Sequence, residues 1–311
     1  MKKILVQGLK KIIFIRTFEE LLAANFKKNN NSSFLHLSIG QEASAAGVCL
    51  ALSKNDLVFG NHRSHGHYLA KGGDPNKMIF EIFGDVRGCC KGFGGSMHML
   101  DRKIGFVGTT PILGSVPPII AGISMSLKLK KKNNIAVGFL GDGSAEEGTF
   151  YETVNIACVH KLPLLIVIED NGYSVEISRN YRKSKNYNYK NIVEGIGAYY
   201  SNIDGQDFDK IYQEVMQLKK KIIKFKKPAV LHLNVLRKFS HSGSDIDIEK
   251  KYRVENKKIH FLKDPIKILK KRLINISKYS ELELNRMEVK MKIEAEKVFN
   301  KAFNKIRFFY Q

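Results

Sequence analysis

The chain is short of acidic residues, of cysteine and of long apolar runs, and each shortage removes a class of protein. Its 311 residues include 30 Asp and Glu against 52 Lys and Arg, and only four cysteines. Cys49, Cys89, Cys90 and Cys158 contain one adjacent pair and no Cys-x-x-Cys spacing. That is too sparse for a disulfide scaffold and points to a reducing, cytoplasmic setting. The longest apolar stretches, such as Ile135–Leu140 and Leu162–Ile168, fall well short of the roughly 20 residues that span a bilayer. No membrane span is expected. The first sixteen residues, Met1–Arg16, mix basic and apolar types with no small-residue cleavage site; their Ile, Leu and Phe spacing reads as an amphipathic helix of the mature protein.

The net charge of +22 raises nucleic acid as a partner, because a basic face attracts phosphate. Lysine, however, is spread over the whole chain together with abundant Asn and Ile, a mixture that genome-wide base composition produces, and it is not gathered with aromatics in one motif. A basic nucleic-acid-binding protein is therefore the weaker reading.

With 43% hydrophobic residues the chain can bury a full core, in one large α/β domain or a domain plus an extension. Two short apolar runs, Ile135–Leu140 and Leu164–Ile168, flank Ser144–His160, where Phe150, Val154, Ile156, Ala157 and Val159 recur near helical spacing. This predicts strand, helix, strand. Uninterrupted apolar strands imply burial on both faces, hence a mostly parallel sheet with helices on each side. A further strand is expected at Ala229–Val235 after a helix at Phe208–Lys224. Arg87–Pro118, rich in Gly and Pro, reads as loops close to a ligand. Arg179–Asn191 reads as a polar surface excursion. Residues 1–245 then form the main domain, and 246–311 a charged helical extension.

Gly141-Asp142-Gly143 ends the first strand and Glu169-Asp170-Asn171-Gly172 ends the second. Parallel sheets bind ligands beyond the carboxyl ends of their strands, so both turns face one site. Asp142 and Asn171 offer the carboxylate and amide oxygens that Mg²⁺ prefers, and the Tyr173 carbonyl can add a third ligand. The glycines let the backbone approach a phosphate, and the helix from Ser144 presents its N-terminal amides to an anion. A diphosphate held by Mg²⁺ is the natural occupant. Alone, Gly-Asp-Gly is a common strand ending.

The pair of turns resembles the thiamine diphosphate fold motif, with Asp170 in place of its usual first Asn and Asn171 intact. From about Phe14 to Asp245 the chain is similar to the alpha subunits of pyruvate, branched-chain 2-oxo acid and acetoin dehydrogenases. The blocks that carry this are Gly40-Gln-Glu-Ala43, His62-Arg-Ser-His-Gly-His67, Lys91-Gly-Phe-Gly-Gly-Ser-Met-His98, Gly141-Asp-Gly143 with Glu147-Gly148, and Arg237-Lys-Phe-Ser-His-Ser242. The resemblance implies that Arg63 grips the cofactor diphosphate, with His62 where Tyr is frequent. It implies that His65 lies near the reaction centre, that Gly114 and Pro117 contact the aminopyrimidine through their backbone, and that Arg237 and His241 belong to a loop over the cofactor. His241 then contacts both diphosphate and reacting centre, and Ser242 matches a serine phosphorylated in mitochondrial relatives. Two local alternatives stand beside these: a zinc site of His62, His65 and His67, and His241 as a solvated loop residue.

The family reaction decarboxylates a 2-oxo acid, or cleaves acetoin, and passes the acyl unit to a lipoyl group. The glutamate that activates the cofactor belongs to a beta chain, so the resemblance implies an α₂β₂ assembly and a lipoyl-bearing acyltransferase as a further partner. A split transketolase also carries Gly-Asp-Gly followed by Glu-Gly, but the Gly-Gly-Ser-Met-His and His-Arg-Ser-His-Gly-His blocks argue against it.

Overall fold

Alternation inside the apolar runs decides the architecture. In Ala136–Gly141, Val137 and Phe139 enter one hydrophobic cluster while Ala136 and Leu140 enter another; in Leu164–Asp170, Leu165 and Val167 divide in the same way from Leu164, Ile166 and Ile168. Side chains of a strand point alternately to opposite faces, so both faces of this sheet are buried. The computed structural model describes residues 2–28, 34–247, 250–253, 259, 262–277 and 279–306.

The strands are β1 (Leu57–Gly60), β2 (Phe106–Thr109), β3 (Ala136–Gly141), β4 (Leu164–Asp170), the small antiparallel pair β5 (Tyr173–Ser174) and β6 (Ile177–Ser178), then β7 (Tyr199–Asp204) and β8 (Ala229–Asn234). The main sheet is parallel in the order β2-β1-β3-β4-β8-β7. Gly141 pairs with Glu169, which brings the ends of β3 and β4 level.

The helices are α1 (Lys2–Lys28), α2 (Glu42–Ala51), α3 (His65–Lys71), α4 (Pro75–Ile82), α5 (Val116–Leu129), α6 (Gly148–Val159), α7 (Arg179–Arg182), α8 (Tyr189–Ile196), α9 (Phe208–Phe225), α10 (Pro265–Ser277) and α11 (Glu281–Phe303). On one face α5, α6 and α8 cover the sheet through Ile120, Phe150, Val154 and Val193. Gly138 allows α5 to settle closely, since a Cβ there would lie 2.8 Å from Ile120. On the other face α1, α2 and α9 bury Leu9, Phe18, Val48 and Ile211. The amphipathic start of the chain extends into the 27 residues of α1, against which α10 and α11 pack. The charged C-terminal segment is thus helical at α10 and α11, while 254–258 and 260–261 within it lie outside the described residues.

Two local readings change. The helix expected from Ser144 begins at Gly148, because Ser144–Glu146 form a 3₁₀ turn and Glu147 turns extended at ψ 142°. The Arg87–Pro118 stretch is less irregular than its composition suggests: β2 pairs with β1, and Pro117 and Pro118 sit in the first turn of α5, where a missing N–H costs nothing. Among the described residues no helix is long and apolar enough to cross a membrane.

Candidate active site

The carboxyl ends of β3 and β4 open onto one cavity, lined among others by Gly141, Asp142, Gly143, Ser144 and Asn171. Asp142 and Asp170 are 1% and 3% exposed, and two carboxylates so close to burial require cations. Burial and then the Asp170 charge push the Asp142 carboxyl above its usual range. At Asp170 burial acts in the same direction, but the bond from His232 Nε2 (3.0 Å) and the charge of Arg179 outweigh it and take the group down to about 2. Asn171 Oδ1 accepts the Tyr173 N–H at 3.1 Å, fixing its amide oxygen in a turn beside Asp142. The Tyr173 ring lies beneath the Arg253 guanidinium, 4.1 Å from its centroid.

The opposite wall is cationic and imidazole-rich. Arg63, buried and fixed by the carbonyls of Leu37 and His241 (2.9 Å), joins α3 to the loop that follows β8. Arg237 is held by Asp247 at 2.9 Å and by the Val175 carbonyl at 2.8 Å. Both guanidiniums line the cavity with His62, His241 and His36. The three rings lie 4.8 to 5.3 Å apart between centroids. Burial first, and the Arg63 charge second, lower His36 to about 3, His62 to about 2 and His241 to about 4. These imidazoles are neutral at neutral pH. His241 is anchored rather than freely solvated, because its loop is pinned by Gly243 N–H to the Leu35 carbonyl and Ser240 N–H to the Asp245 carbonyl, at 2.8 and 2.9 Å.

Several residues singled out from the sequence do not reach the cavity. His65 is fully buried, with Nδ1 3.0 Å from Glu19 and Nε2 2.9 Å from Ser96. His67 is stacked on Phe139 and bonded to Glu169 at 3.1 Å. The alternative zinc trio of His62, His65 and His67 therefore does not converge, and His36 takes the place beside His62 and His241. Gly114 donates to Ser144 Oγ (3.0 Å) and accepts from Thr149 Oγ1 (2.8 Å). With buried Pro117 it shapes a wall whose cavity-facing residues are Thr110, Ile112, Leu113 and Val116.

Arg179–Asn191 is largely exposed, as its polar composition suggested, with Tyr189 its one buried residue; what composition did not show is that Arg179 reaches Asp170, and Arg182 reaches Asp142 and Glu146. Missed too was Glu81, fully buried at the end of α4, which accepts the N–H groups of Cys90, Gly92 and Gly94 at 2.6, 3.0 and 2.6 Å. This carboxylate organises the Lys91–His98 loop. Ser96 then meets both His65 and the His36 N–H, and Met97 faces the cavity.

Residues 10–307 match the dehydrogenase E1 component family. The alpha subunit of acetoin:2,6-dichlorophenolindophenol oxidoreductase from Cupriavidus necator is 35% identical over 78% of this chain and 73% of its own length. Its counterpart from Bacillus subtilis is 33% identical over 88% of this chain and 82% of its own. The pyruvate dehydrogenase E1 component subunit alpha of Rickettsia bellii is 31% identical over 92% and 87%. A match across nearly the whole chain, with the fold and the strand-end turns described above, settles the assignment: the chain belongs to the dehydrogenase E1 component family, as a thiamine diphosphate-dependent dehydrogenase alpha subunit.

Proposed function

We propose that this chain is the diphosphate-binding half of a two-subunit 2-oxo acid or acetoin dehydrogenase, completed by a beta subunit in an α₂β₂ assembly that delivers its product to a lipoyl-bearing acyltransferase. The observation that carries this reading is the meeting, in one cavity, of the Asp142 and Asn171 strand ends with Arg63, Arg237 and the three neutral histidines. Residues 1–245 are the cofactor-binding domain in this reading, and 246–311 an extension whose helices α10 and α11 pack on α1.

The residues fit a polar, anionic cofactor. His36 Nδ1, Gln41 Nε2 and Glu169 Oε2 are buried without a hydrogen-bond partner, and all three residues line the cavity. Asp142, Asn171 and the Tyr173 carbonyl would hold Mg²⁺, a hard ion that takes oxygen ligands. The Gly141–Ser144 turn, His62, Arg63 and Arg237 would hold the diphosphate, for which guanidinium forks are suited. Bound thiamine diphosphate supplies the carbanion chemistry of decarboxylation.

The chain's own residues bind, orient and shield. His241, neutral and bonded through its carbonyl to Arg63, can receive or return a proton at the reacting centre, with the His36 and His62 rings packed beside it. His65, out of reach of the cavity, is a positioning residue: with Glu19 and Ser96 it fixes the segment that carries His36. The reading of this site as one half of a pair rests on the rim, where Ile112 and Leu113 are 68% and 50% exposed beside the cavity, an apolar ledge of the kind a partner chain covers.

The test is turnover with an artificial oxidant, thiamine diphosphate and Mg²⁺, using the chain with and without its beta partner on pyruvate, branched-chain 2-oxo acids and acetoin. Turnover of one substrate that requires both chains is expected. Turnover by this chain alone, or none with any substrate in the assembled pair, contradicts the proposal.

A further inference from the structure

Asp142 is almost fully buried and is paired with Arg182. Arg182 Nη2 donates to Asp142 Oδ2, Nη1 donates to Glu146, and Nε donates to the Ile177 carbonyl at 3.2 Å. The guanidinium lies against the Gly141–Gly143 turn, with Nη1 3.8 Å from the position a Cβ on Gly143 would occupy. Lys183 stands behind it, 3.4 Å from Glu146 and 2.8 Å from the Tyr189 hydroxyl. A carboxylate that has lost its water cannot stay charged without such a partner.

We propose that Arg182 is an internal counter-ion for Asp142, which holds the buried carboxylate in the metal-free chain and yields that oxygen when Mg²⁺ binds, so that loading the site exchanges one cation for another. The proposal rests on the reading of Asp142 as a metal ligand. Three bonds from one guanidinium make the exchange feasible: after releasing Asp142, Arg182 keeps Glu146 and the Ile177 carbonyl as anchors and stays beside the turn. The arrangement has two consequences. Asp142 is never a bare buried carboxylate, and the ion must compete with the pair it replaces, which lowers metal affinity by the strength of that pair. A guanidinium that instead remained on Asp142 in the loaded state would be a support for the ligand, and its removal would weaken metal binding.

Arg182→Met and Arg182→Lys, each made in the chain assembled with its beta partner, separate these cases. Mn²⁺ serves as the probe, its affinity read by electron paramagnetic resonance in the presence of thiamine diphosphate, with thermal melting recorded without metal. The expected result for Arg182→Met is a lower metal-free Tm together with Mn²⁺ binding about tenfold tighter than wild type. Arg182→Lys, which keeps the charge and loses the fork, falls between and carries the comparison if the Met variant does not fold. Unchanged or weaker Mn²⁺ binding in the folded variants overturns the proposal. Asp142→Ala, which removes the oxygen altogether, is the control: should Mn²⁺ binding survive in it, Asp142 is not the ligand, and the site reading fails along with the inference built on it.

Discussion

At the scale of single residues, charge is settled by burial and by the neighbour that each group can reach. His36, His62 and His241 share a cavity with two guanidiniums, and their pKa values fall from the ordinary 6.5 to about 3, 2 and 4. Between those values and 6.5 the unfolded chain binds more protons than the folded one, so stability falls as pH falls through this window. The Tm of the wild type should therefore drop from pH 7 to pH 5, and His62→Gln should flatten the drop. An equally steep drop in the variant would contradict the assignment. Arg16, buried between Glu42 (2.9 Å) and Asp264 (3.0 Å), makes a second prediction. Arg16→Ala leaves buried Glu42 without its cation and Asp264 with Lys238 alone (2.7 Å), and should cost about 3–5 kcal/mol in urea unfolding, the range for breaking a buried pair.

At the scale of elements, polar side chains on helices set the geometry of the loops that carry the site. Glu81 on α4 gathers the amides of Cys90, Gly92 and Gly94, so Glu81→Leu should leave three half-buried N–H groups unpaired, at about 1 kcal/mol each, the low end for an unsatisfied donor. It should lower Tm and weaken cofactor binding together; a variant that lost stability but bound cofactor as before would separate the loop from the site. Strand ends were legible in the sequence because their determinants are local: apolar runs, then Gly-Asp-Gly or Asp-Asn-Gly. The polar excursion at Arg179–Asn191 was legible as surface chain, but its reach was not: composition does not tell that Arg179 and Arg182 turn back to pair with the buried Asp170 and Asp142. His36 escaped notice for a related reason, since nothing in its own segment tells that the chain returns it to His62 and His241. Conversely His65, in a conspicuous histidine block, faces Glu19 of α1, a contact made across 46 residues.

At the scale of the molecule, one parallel sheet with helices on both faces places every loop of the site at its carboxyl edge, as the apolar strands foretold. The N-terminal helix α1 links that edge to the C-terminal helices: it packs on α10 and α11, while its Arg16 and Glu19 reach toward Glu42 and His65. The surplus of positive charge remains distributed, and the site uses only a few of its cations. The apolar ledge of Ile112 and Leu113 at the cavity rim is a surface of the kind a partner chain covers.

The central claim is that this chain binds thiamine diphosphate through Asp142 and Mg²⁺ as one half of a shared site. Calorimetric titration of thiamine diphosphate with Mg²⁺, into the chain with and without its beta partner and into the Asp142→Ala variant, tests it most directly. The account predicts tight binding that requires the partner and disappears in the variant; no binding by the assembled wild-type pair, or undiminished binding by the variant, would contradict it.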